Sequence, residues 1–339
     1  MKVHFDGIKN GKLIGWAIRK NDVPLTFEFS DGNKYETDAV IERKGLTLKD
    51  MHETGKCGFE ISLPVLKWLR GEQPSVNITA QHENTVVFKQ ASYRPIFFMH
   101  IAKTAGTSVN DAFASILNTE DYRFHLEGVN DWSPEKLDHI KTKLFFISGH
   151  LNYLRINDII GLKDHFKITI IREPINQLLS HINWIYSIAE DTNSNFYNNH
   201  QSHIKSLSLM IRKTDWTVLT QVIDLFENMS DEQYKLFNNC QTRYLITKQN
   251  SRTLELSDIH EALDNISQFD VVLDNSNLNE LPILLNKEYP LLNITIGHSN
   301  TNKSKSITIL ENSDISEYLQ QHIMIDNILY NFIQHNKNN

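Results

Sequence analysis

The chain has 339 residues, of which 40% are hydrophobic and 22% are charged, and its formal net charge is −7 at pH 7. This length favours one large domain or two unequal ones, and the acidic balance argues against a protein that binds nucleic acid over a broad surface. The two cysteines, Cys57 and Cys240, have no metal-ligand spacing, which disfavours both a disulfide framework and a zinc site.

Membrane and export signals are the next features that the sequence excludes. No stretch approaches the ~20 apolar residues that a membrane-spanning helix needs. The N-terminal stretch MKVHFDGIKNGKLIGW lacks the apolar core of a signal peptide. Together with the low cysteine content, these features predict a cytoplasmic protein with no transmembrane segment.

Residues 1–92 have the pattern of a small all-β unit. Five runs alternate in polarity or carry β-branched residues: KLIGWAI, LTFEFSDGNKYETDAVI, GFEISLP, SVNITAQ and TVVFKQA. Asp31-Gly32, within the second run, is a strong hairpin signal. No helical periodicity of useful length separates these runs, so we predict a β-rich accessory module over residues 1–92.

From Tyr93 onwards, short apolar strands alternate with amphipathic helices, which is the pattern of a mostly parallel α/β sheet. The predicted strands are IFFMHI (96–101), LFFISG (144–149), KITIIR (167–172) and FDVVLD (269–274). Helical periodicity follows Ser108 and Pro174, and further helical segments are predicted over 204–247 and 277–287. Near the C-terminus, over about 315–332, a packed helix is predicted from the spacing of Ile315, Tyr318, Leu319, Ile323, Ile328, Leu329 and Phe332. The polar segment 190–203 is predicted to be a surface loop, with a lid as the alternative. We therefore predict a second domain over 93–339, a parallel sheet flanked by helices.

The stretch FFMHIAKTAGTSV (97–109) leads an apolar strand directly into a loop and a helix. Backbone N–H groups, the helix N-terminus and the Lys103 ammonium would surround one point, an arrangement that binds phosphate. Gly106 permits a close backbone approach, and three hydroxyls can donate hydrogen bonds: those of Thr104, Thr107 and Ser108. A triphosphatase loop places its lysine after its second glycine, whereas here the lysine comes first. We predict a phosphate site of another kind, with an ordinary strand–helix turn as the alternative.

Two further predicted strand ends carry polar side chains. Arg172 ends the third strand and Ser180 lies two turns into the next helix, so both could reach an anion; a purely structural arginine is the alternative. His150 follows the second strand, at the edge where α/β sheets usually bind ligands. Because imidazole accepts a proton near neutral pH, His150 is either a catalytic base or a structural histidine.

Together these three segments resemble the cytosolic-fold sulfotransferases, in particular the carbohydrate branch that includes heparan sulfate 2-O-sulfotransferase. The 5′-phosphosulfate loop of that family typically reads HIPKTAGTS, and this chain has HIAKTAGTS, with Ala102 in place of the proline. The family's 3′-phosphate motif is matched by Arg172, Glu173, Pro174 and Ser180. A Gly-His pair at the intervening strand end is matched by Gly149-His150. The similarity extends from about Tyr93 to Phe332.

The resemblance implies a P-loop-like parallel sheet and transfer of a sulfuryl group from 3′-phosphoadenosine 5′-phosphosulfate (PAPS) to a hydroxyl, with a saccharide as the expected acceptor and no metal required. It implies that His150 is the catalytic base and that Lys103 stabilises the leaving group. The implied PAPS contacts are Lys103, Thr104, Ala105, Gly106, Thr107, Ser108, Arg172 and Ser180. The segment HSNTNKSKS (298–306) resembles one that closes over the nucleotide, which adds three expected contacts: Asn302, Lys303 and Ser304.

Residues 1–92 fall outside that family. They are similar to β-rich modules found beside bacterial glycan-modifying enzymes, which suggests a bacterial source and a carbohydrate context. Within them, Trp16 is expected to be a core aromatic, with stacking on a sugar as the alternative. Three functional alternatives stay open: a tyrosylprotein sulfotransferase, a P-loop kinase that needs magnesium, and a noncatalytic glycan-binding protein.

Overall fold

The computed structural model describes residues 2–19, 24–29, 34–62, 75–80, 86–89, 94–130, 132–248, 250–289, 291–297 and 313–337. For residues 29, 75–80, 86–89, 158–160 and 337 it describes the backbone alone. The predicted Asp31-Gly32 turn and the predicted contacts Asn302, Lys303 and Ser304 lie outside the described residues.

Two four-stranded antiparallel sheets make up the N-terminal region. The first has the order β1 (Lys2–Lys9), β2 (Lys12–Ile18), β6 (Lys56–Ser62) and β5 (Ile41–Glu42). The second has the order β4 (Lys34–Thr37), β3 (Leu25–Phe29), β7 (Ser75–Ala80) and β8 (Val86–Lys89). A short helix, α1 (Lys44–Thr47), precedes β6. The predicted β-rich character is confirmed, and β1 is an addition to the predicted runs.

Alternation along β2 decides where Trp16 lies. Leu13, Gly15 and Ala17 are buried, whereas Trp16 is half-buried on the opposite face of the strand. Its ring stacks on the imidazole of His4, with centroids 5.4 Å apart. The expectation that Trp16 is a core aromatic is therefore wrong, because the strand period of two directs its side chain away from the core.

A five-stranded parallel sheet forms the centre of the second region, as predicted. Its order is β10 (Tyr122–Arg123), β11 (Phe146–Gly149), β9 (Ile96–Met99), β12 (Phe166–Ile171) and β13 (Val271–Asp274). Every residue of β9, β11 and β12 is buried, which explains why these strands are mostly apolar. The edge strand β10 has two residues and was not predicted.

Helices pack around this sheet. They are α2 (Gly106–Ala114), α3 (Pro134–Thr142), α4 (Pro174–Ile188), α5 (Asn195–Asn198), α6 (Ser202–Lys213), α7 (Leu219–Glu227), α8 (Asp231–Tyr234), α9 (Cys240–Leu245), α10 (Asp258–Ile266), α11 (Leu281–Glu288), α12 (Ser313–Gln321) and α13 (Met324–Lys337). The single helix expected near 315–332 is two helices. Its expected packing is also wrong at Ile328 and Phe332, which are 39% and 46% exposed. The polar segment 190–203 contains the short helix α5. No helix in the described part of the chain is long and apolar enough to cross a bilayer.

The N-terminal sheets pack directly against the second region. The backbone N–H of Ile8 donates to the carbonyl oxygen of Leu291 at 2.8 Å, and that of Gly11 donates to Ile116 at 2.8 Å. Gly11 has a φ of +69°, and a Cβ there would overlap the side chain of Asn118. One continuous hydrophobic core contains residues of both regions. The two regions are therefore held together by backbone hydrogen bonds and shared apolar burial.

Candidate active site

The loop between β9 and α2 has the backbone of an anion site. Lys103 and Ala105 have positive φ values of 68° and 79°, and Thr104 between them does not. Alternating handedness of this kind turns successive N–H groups towards one concavity. The Thr104 hydroxyl donates to the carbonyl oxygen of Ile101 at 2.9 Å, so it stabilises the loop from inside. The Gln177 amide of α4 donates to the carbonyl oxygen of Ala102 at 2.9 Å and fixes the loop from outside.

Gly106 begins α2 beneath the ring of His100. A Cβ at position 106 would lie 2.0 Å from ring atoms of His100, so glycine leaves the room that this ring occupies. His100 is buried, and burial lowers its pKa to about 2, with smaller contributions from nearby positive groups. The ring is therefore neutral, and it lies 4.2 Å from the ring of His150, measured between centroids.

Two cations meet where β9 and β12 end. The Arg172 Nη1 donates to the backbone carbonyl oxygen of Lys103 at 3.1 Å. Burial lowers the pKa of both side chains, and the charge of Arg172 lowers that of Lys103 further. Among the described residues neither cation forms an ion pair, and the Lys103 ammonium lies 5.6 Å from the centroid of the Trp184 ring. This pair of partly buried positive charges is suited to a bound anion.

The backbone of Arg172 is fixed by one side chain. The Arg172 N–H donates to Oε1 of Gln241 at 2.8 Å, and Nε2 of Gln241 donates back to the Arg172 carbonyl oxygen at 2.8 Å. Gln241 lies in α9, whose first N–H groups donate to the buried Asp326 of α13. Asn239 in turn accepts from the first N–H groups of α13, those of Ile325 and Asp326. These reciprocal caps place Gln241 opposite the end of β12.

His150 follows β11, and its hydrogen bonds fix its tautomer. Its Nδ1 lies 2.7 Å from the backbone carbonyl oxygen of His100, with the Tyr244 hydroxyl at 3.3 Å. A carbonyl oxygen can only accept, so Nδ1 carries the proton and Nε2 keeps the lone pair. Burial lowers the pKa of His150 below 6.5, and the carboxylate of Glu127 opposes that shift. His150 is thus a neutral imidazole near pH 7 with Nε2 able to accept a proton.

Glu127 holds the backbone of His150. Its Oε2 accepts from the His150 N–H at 2.8 Å, and its Oε1 lies 3.0 Å from Nδ1 of His125. Burial alone would raise the pKa of Glu127, but His150 and backbone N–H groups bring it below its ordinary value. A Cβ on Gly149 would lie 2.8 Å from both Glu127 Oε2 and the Leu126 nitrogen, so the glycine permits this approach.

The structure brings together most of the sequence-predicted site. Lys103, His150 and Arg172 follow three adjacent strands, and the charge of Lys103 lowers the pKa of His150. Ala105 precedes α2, Thr107 is exposed in its first turn, and Ser108 is buried. Ser180 is half-buried on α4. Five neighbouring residues were not predicted to take part: His100, Glu127, Gln177, Gln241 and Tyr244. Of these, His100 lies within the HIAKTAGTS motif, and Gln177 lies between Arg172 and Ser180 of the predicted 3′-phosphate motif.

Comparisons with known proteins identify the family. Residues 87–321 match the model of the sulfotransferase family. A solved structure is also similar: the crystal structure of a sulfotransferase from Alicyclobacillus acidocaldarius, at 10% identity and a TM-score of 0.35, over 70% of this chain and 93% of that chain. Among curated protein sequences no match is found. The family match spans all three strand ends that carry Lys103, His150 and Arg172.

Proposed function

The chain belongs to the sulfotransferase family, and we propose that it transfers a sulfuryl group from PAPS to a hydroxyl of a saccharide. The observation that carries the proposal is the approach of Lys103 and Arg172 to each other, with neither side chain forming an ion pair among the described residues. The carboxylates of Glu173 and Asp274 favour the charge of Arg172 from a distance, but they do not pair with it. Two partly buried cations at adjacent strand ends repel each other, and bound PAPS would compensate both charges, with its 5′-phosphosulfate at Lys103 and its 3′-phosphate at Arg172.

The residues present fit a nucleotide with two phosphate groups. The concave backbone of 103–106 and the N-terminus of α2 would hold the 5′-phosphate, with Lys103 beside it. Arg172 and Ser180 would bind the 3′-phosphate and so distinguish this donor from ordinary adenine nucleotides. The same pair of sites would hold the product, 3′,5′-bisphosphoadenosine, in the absence of the sulfuryl group.

In the proposed reaction PAPS supplies an activated sulfuryl group for an in-line displacement. His150 Nε2 accepts the proton of the attacking hydroxyl while its oxygen bonds to sulfur. The bond between sulfur and the bridging oxygen breaks, and Lys103 stabilises the negative charge that develops on that oxygen. The products are a sulfate ester, the bisphosphate nucleotide and protonated His150, which returns its proton to water.

Radiolabelled PAPS tests the proposal directly. The enzyme is incubated with ³⁵S-PAPS and either a pool of oligosaccharides or a pool of tyrosine-containing peptides, and the variant Lys103→Ala is assayed in parallel. We expect label in the oligosaccharide pool and about a hundredfold less with the variant, because a positioned charge on the leaving group has gone. Label confined to the peptides would overturn the saccharide assignment. Magnesium-dependent ATP hydrolysis without label transfer would overturn the donor assignment.

A further inference from the structure

An aromatic surface leads away from Lys103 towards solvent. The Lys103 ammonium faces the ring of Trp184, whose centroid lies 5.6 Å from that of His200. His200 in turn lies 4.8 Å from Phe196, ring edge to ring face. Phe196 is 49% exposed on α5. We call the three rings of Trp184, His200 and Phe196 the aromatic ridge.

The backbone beneath the ridge is held in place before any ligand arrives. Ser194 caps α5 by accepting from the N–H of Tyr197 at 3.1 Å, and Asp191 accepts from the N–H of Asn193 at 2.9 Å. The His200 Nδ1 lies 2.6 Å from the carbonyl oxygen of Phe196. The exposed ring of Phe196 therefore sits on a hydrogen-bonded scaffold, and a ligand that covers it would order little additional chain.

The charges around the ridge select among acceptors. The segment 190–203 contains Glu190 and Asp191 and has no lysine or arginine. Lys205 is a nearby cation, and its ammonium already lies over the ring of Tyr197. Neutral hydrogen-bonding groups are abundant instead, at Asn193, Asn195, Asn198, Asn199 and Gln201. At the outer end of the ridge, over segment 190–203, a uronate or sulfated glycan would meet two carboxylates without a matching set of basic side chains, since Lys103 lies at the inner end, against Trp184.

We propose that the aromatic ridge is the acceptor subsite and that it stacks against the ring of an uncharged saccharide. The C–H face of a sugar ring packs on an aromatic ring through apolar burial and dispersion, and amides of α5 can hydrogen-bond its hydroxyls. This inference rests on the proposed sulfuryl transfer and deepens it. The neutral acceptor would extend from the reacting hydroxyl near Lys103 and His150 outwards along the ridge to Phe196.

The test compares Phe196→Ala with two controls. Phe196→Tyr keeps the aromatic face, and Ile283→Ala removes an apolar side chain that is 69% exposed on α11. Transfer from ³⁵S-PAPS is measured with maltoheptaose and chitopentaose as neutral acceptors, oligogalacturonate as the uronate acceptor and an acidic tyrosine-containing peptide. We expect the wild type to use a neutral acceptor. With it, Phe196→Ala should raise KM about tenfold at nearly unchanged kcat, because stacking acts in the ground state as well. Both controls should keep the wild-type KM.

Each outcome separates this inference from the proposed function. The affinity for 3′,5′-bisphosphoadenosine is measured for every variant and should not change, since Phe196 is not one of the proposed donor contacts. If the wild type did not bind 3′,5′-bisphosphoadenosine, that result would contradict the proposed function itself. Donor binding with label only in the oligogalacturonate or the peptide, or in none of the acceptors, would overturn the neutral-saccharide subsite. So would an unchanged KM in Phe196→Ala.

Discussion

The imidazole Nδ1 of His150 lies 2.7 Å from the backbone carbonyl oxygen of His100, a contact between the ends of two adjacent parallel strands. This contact fixes the proton on Nδ1 and leaves the lone pair on Nε2. Backbone geometry thus sets the protonation pattern of the proposed base, and the position of that base depends on the sheet register.

Replacing His150 separates binding from turnover. His150→Ala should lower kcat by about 10²- to 10⁴-fold, because the acceptor hydroxyl loses its general base. Its affinity for 3′,5′-bisphosphoadenosine should stay within about twofold of the wild type, since no proposed phosphate contact is removed. Steady-state kinetics and calorimetry measure the two quantities. Wild-type turnover in this variant would show that His150 is not the base.

Removing the charge of Glu127 should shift the pH dependence of kcat/KM. His150 must be neutral to act, so activity falls at acid pH as its nitrogen is protonated, and the carboxylate of Glu127 raises that pKa. Glu127→Gln keeps an oxygen that accepts from the His150 N–H and lacks the charge. The acid limb should therefore move to lower pH, with the plateau within about threefold of the wild type.

The control for Glu127→Gln is Glu120→Gln, which removes an exposed carboxylate with the same change in net charge. Its acid limb should coincide with that of the wild type. A limb that moves to higher pH in Glu127→Gln, or does not move, would contradict the electrostatic coupling between Glu127 and His150.

Gln241 is expected to act on the donor through the backbone of Arg172. Gln241→Ala removes both hydrogen bonds at the end of β12 and should weaken binding of 3′,5′-bisphosphoadenosine about tenfold. Gln268→Ala is the matched control, because it removes an amide that bonds to Tyr153 instead. Calorimetry gives both dissociation constants. If Gln241→Ala and Gln268→Ala bound the nucleotide with equal affinity, Arg172 would keep its position without Gln241.

His322 should make stability depend on acid pH. Its ring is buried beside Phe226 and Tyr234, and burial lowers its pKa to about 4. Between pH 6.5, the ordinary histidine pKa that applies to the unfolded chain, and about pH 4, the unfolded state binds a proton at His322 that the folded state does not bind. The free energy of unfolding therefore decreases as pH falls through this window. The loss amounts to about 3 kcal/mol, and it is complete once pH is below the folded pKa.

Urea unfolding at pH 7 and pH 4 measures this effect. His322→Asn keeps a group that can hydrogen-bond to Tyr234 and cannot titrate, so the stability difference between the two pH values should shrink by about 3 kcal/mol. His139→Ala, at an exposed position on α3, is the control and should keep the wild-type difference. An unchanged difference in His322→Asn would exclude His322 as its source.

The parallel sheet and its three polar strand ends were predictable because parallel strands are buried on both faces and end at one edge. The contacts between residues across the site were not predictable from the sequence. Glu127, His100 and Tyr244 approach His150 across 23, 50 and 94 residues of sequence, and no local pattern marks such pairs. Only the folded sheet brings them to the histidine.

The periodicity of apolar residues also predicted burial wrongly at some positions. Ile328 and Phe332 share the helical spacing of their buried neighbours, yet both are substantially exposed on α13. Tryptophan is a residue type expected in a core, but the alternation of side chains along β2 places Trp16 on the outer face of the strand. The proposed boundary between residues 92 and 93 stays a prediction, and the family match begins nearby, at residue 87.

Calorimetric titration with 3′,5′-bisphosphoadenosine tests the central claim, a donor with phosphates on both its 3′ and 5′ carbons, most directly. The same titration is made with 5′-AMP, which lacks the 3′-phosphate, and with the variant Arg172→Ala. We predict that the wild type binds the bisphosphate at least about tenfold more tightly than 5′-AMP and that Arg172→Ala abolishes this preference. Equal affinity of the wild type for the two nucleotides, or no binding of the bisphosphate, would contradict the account.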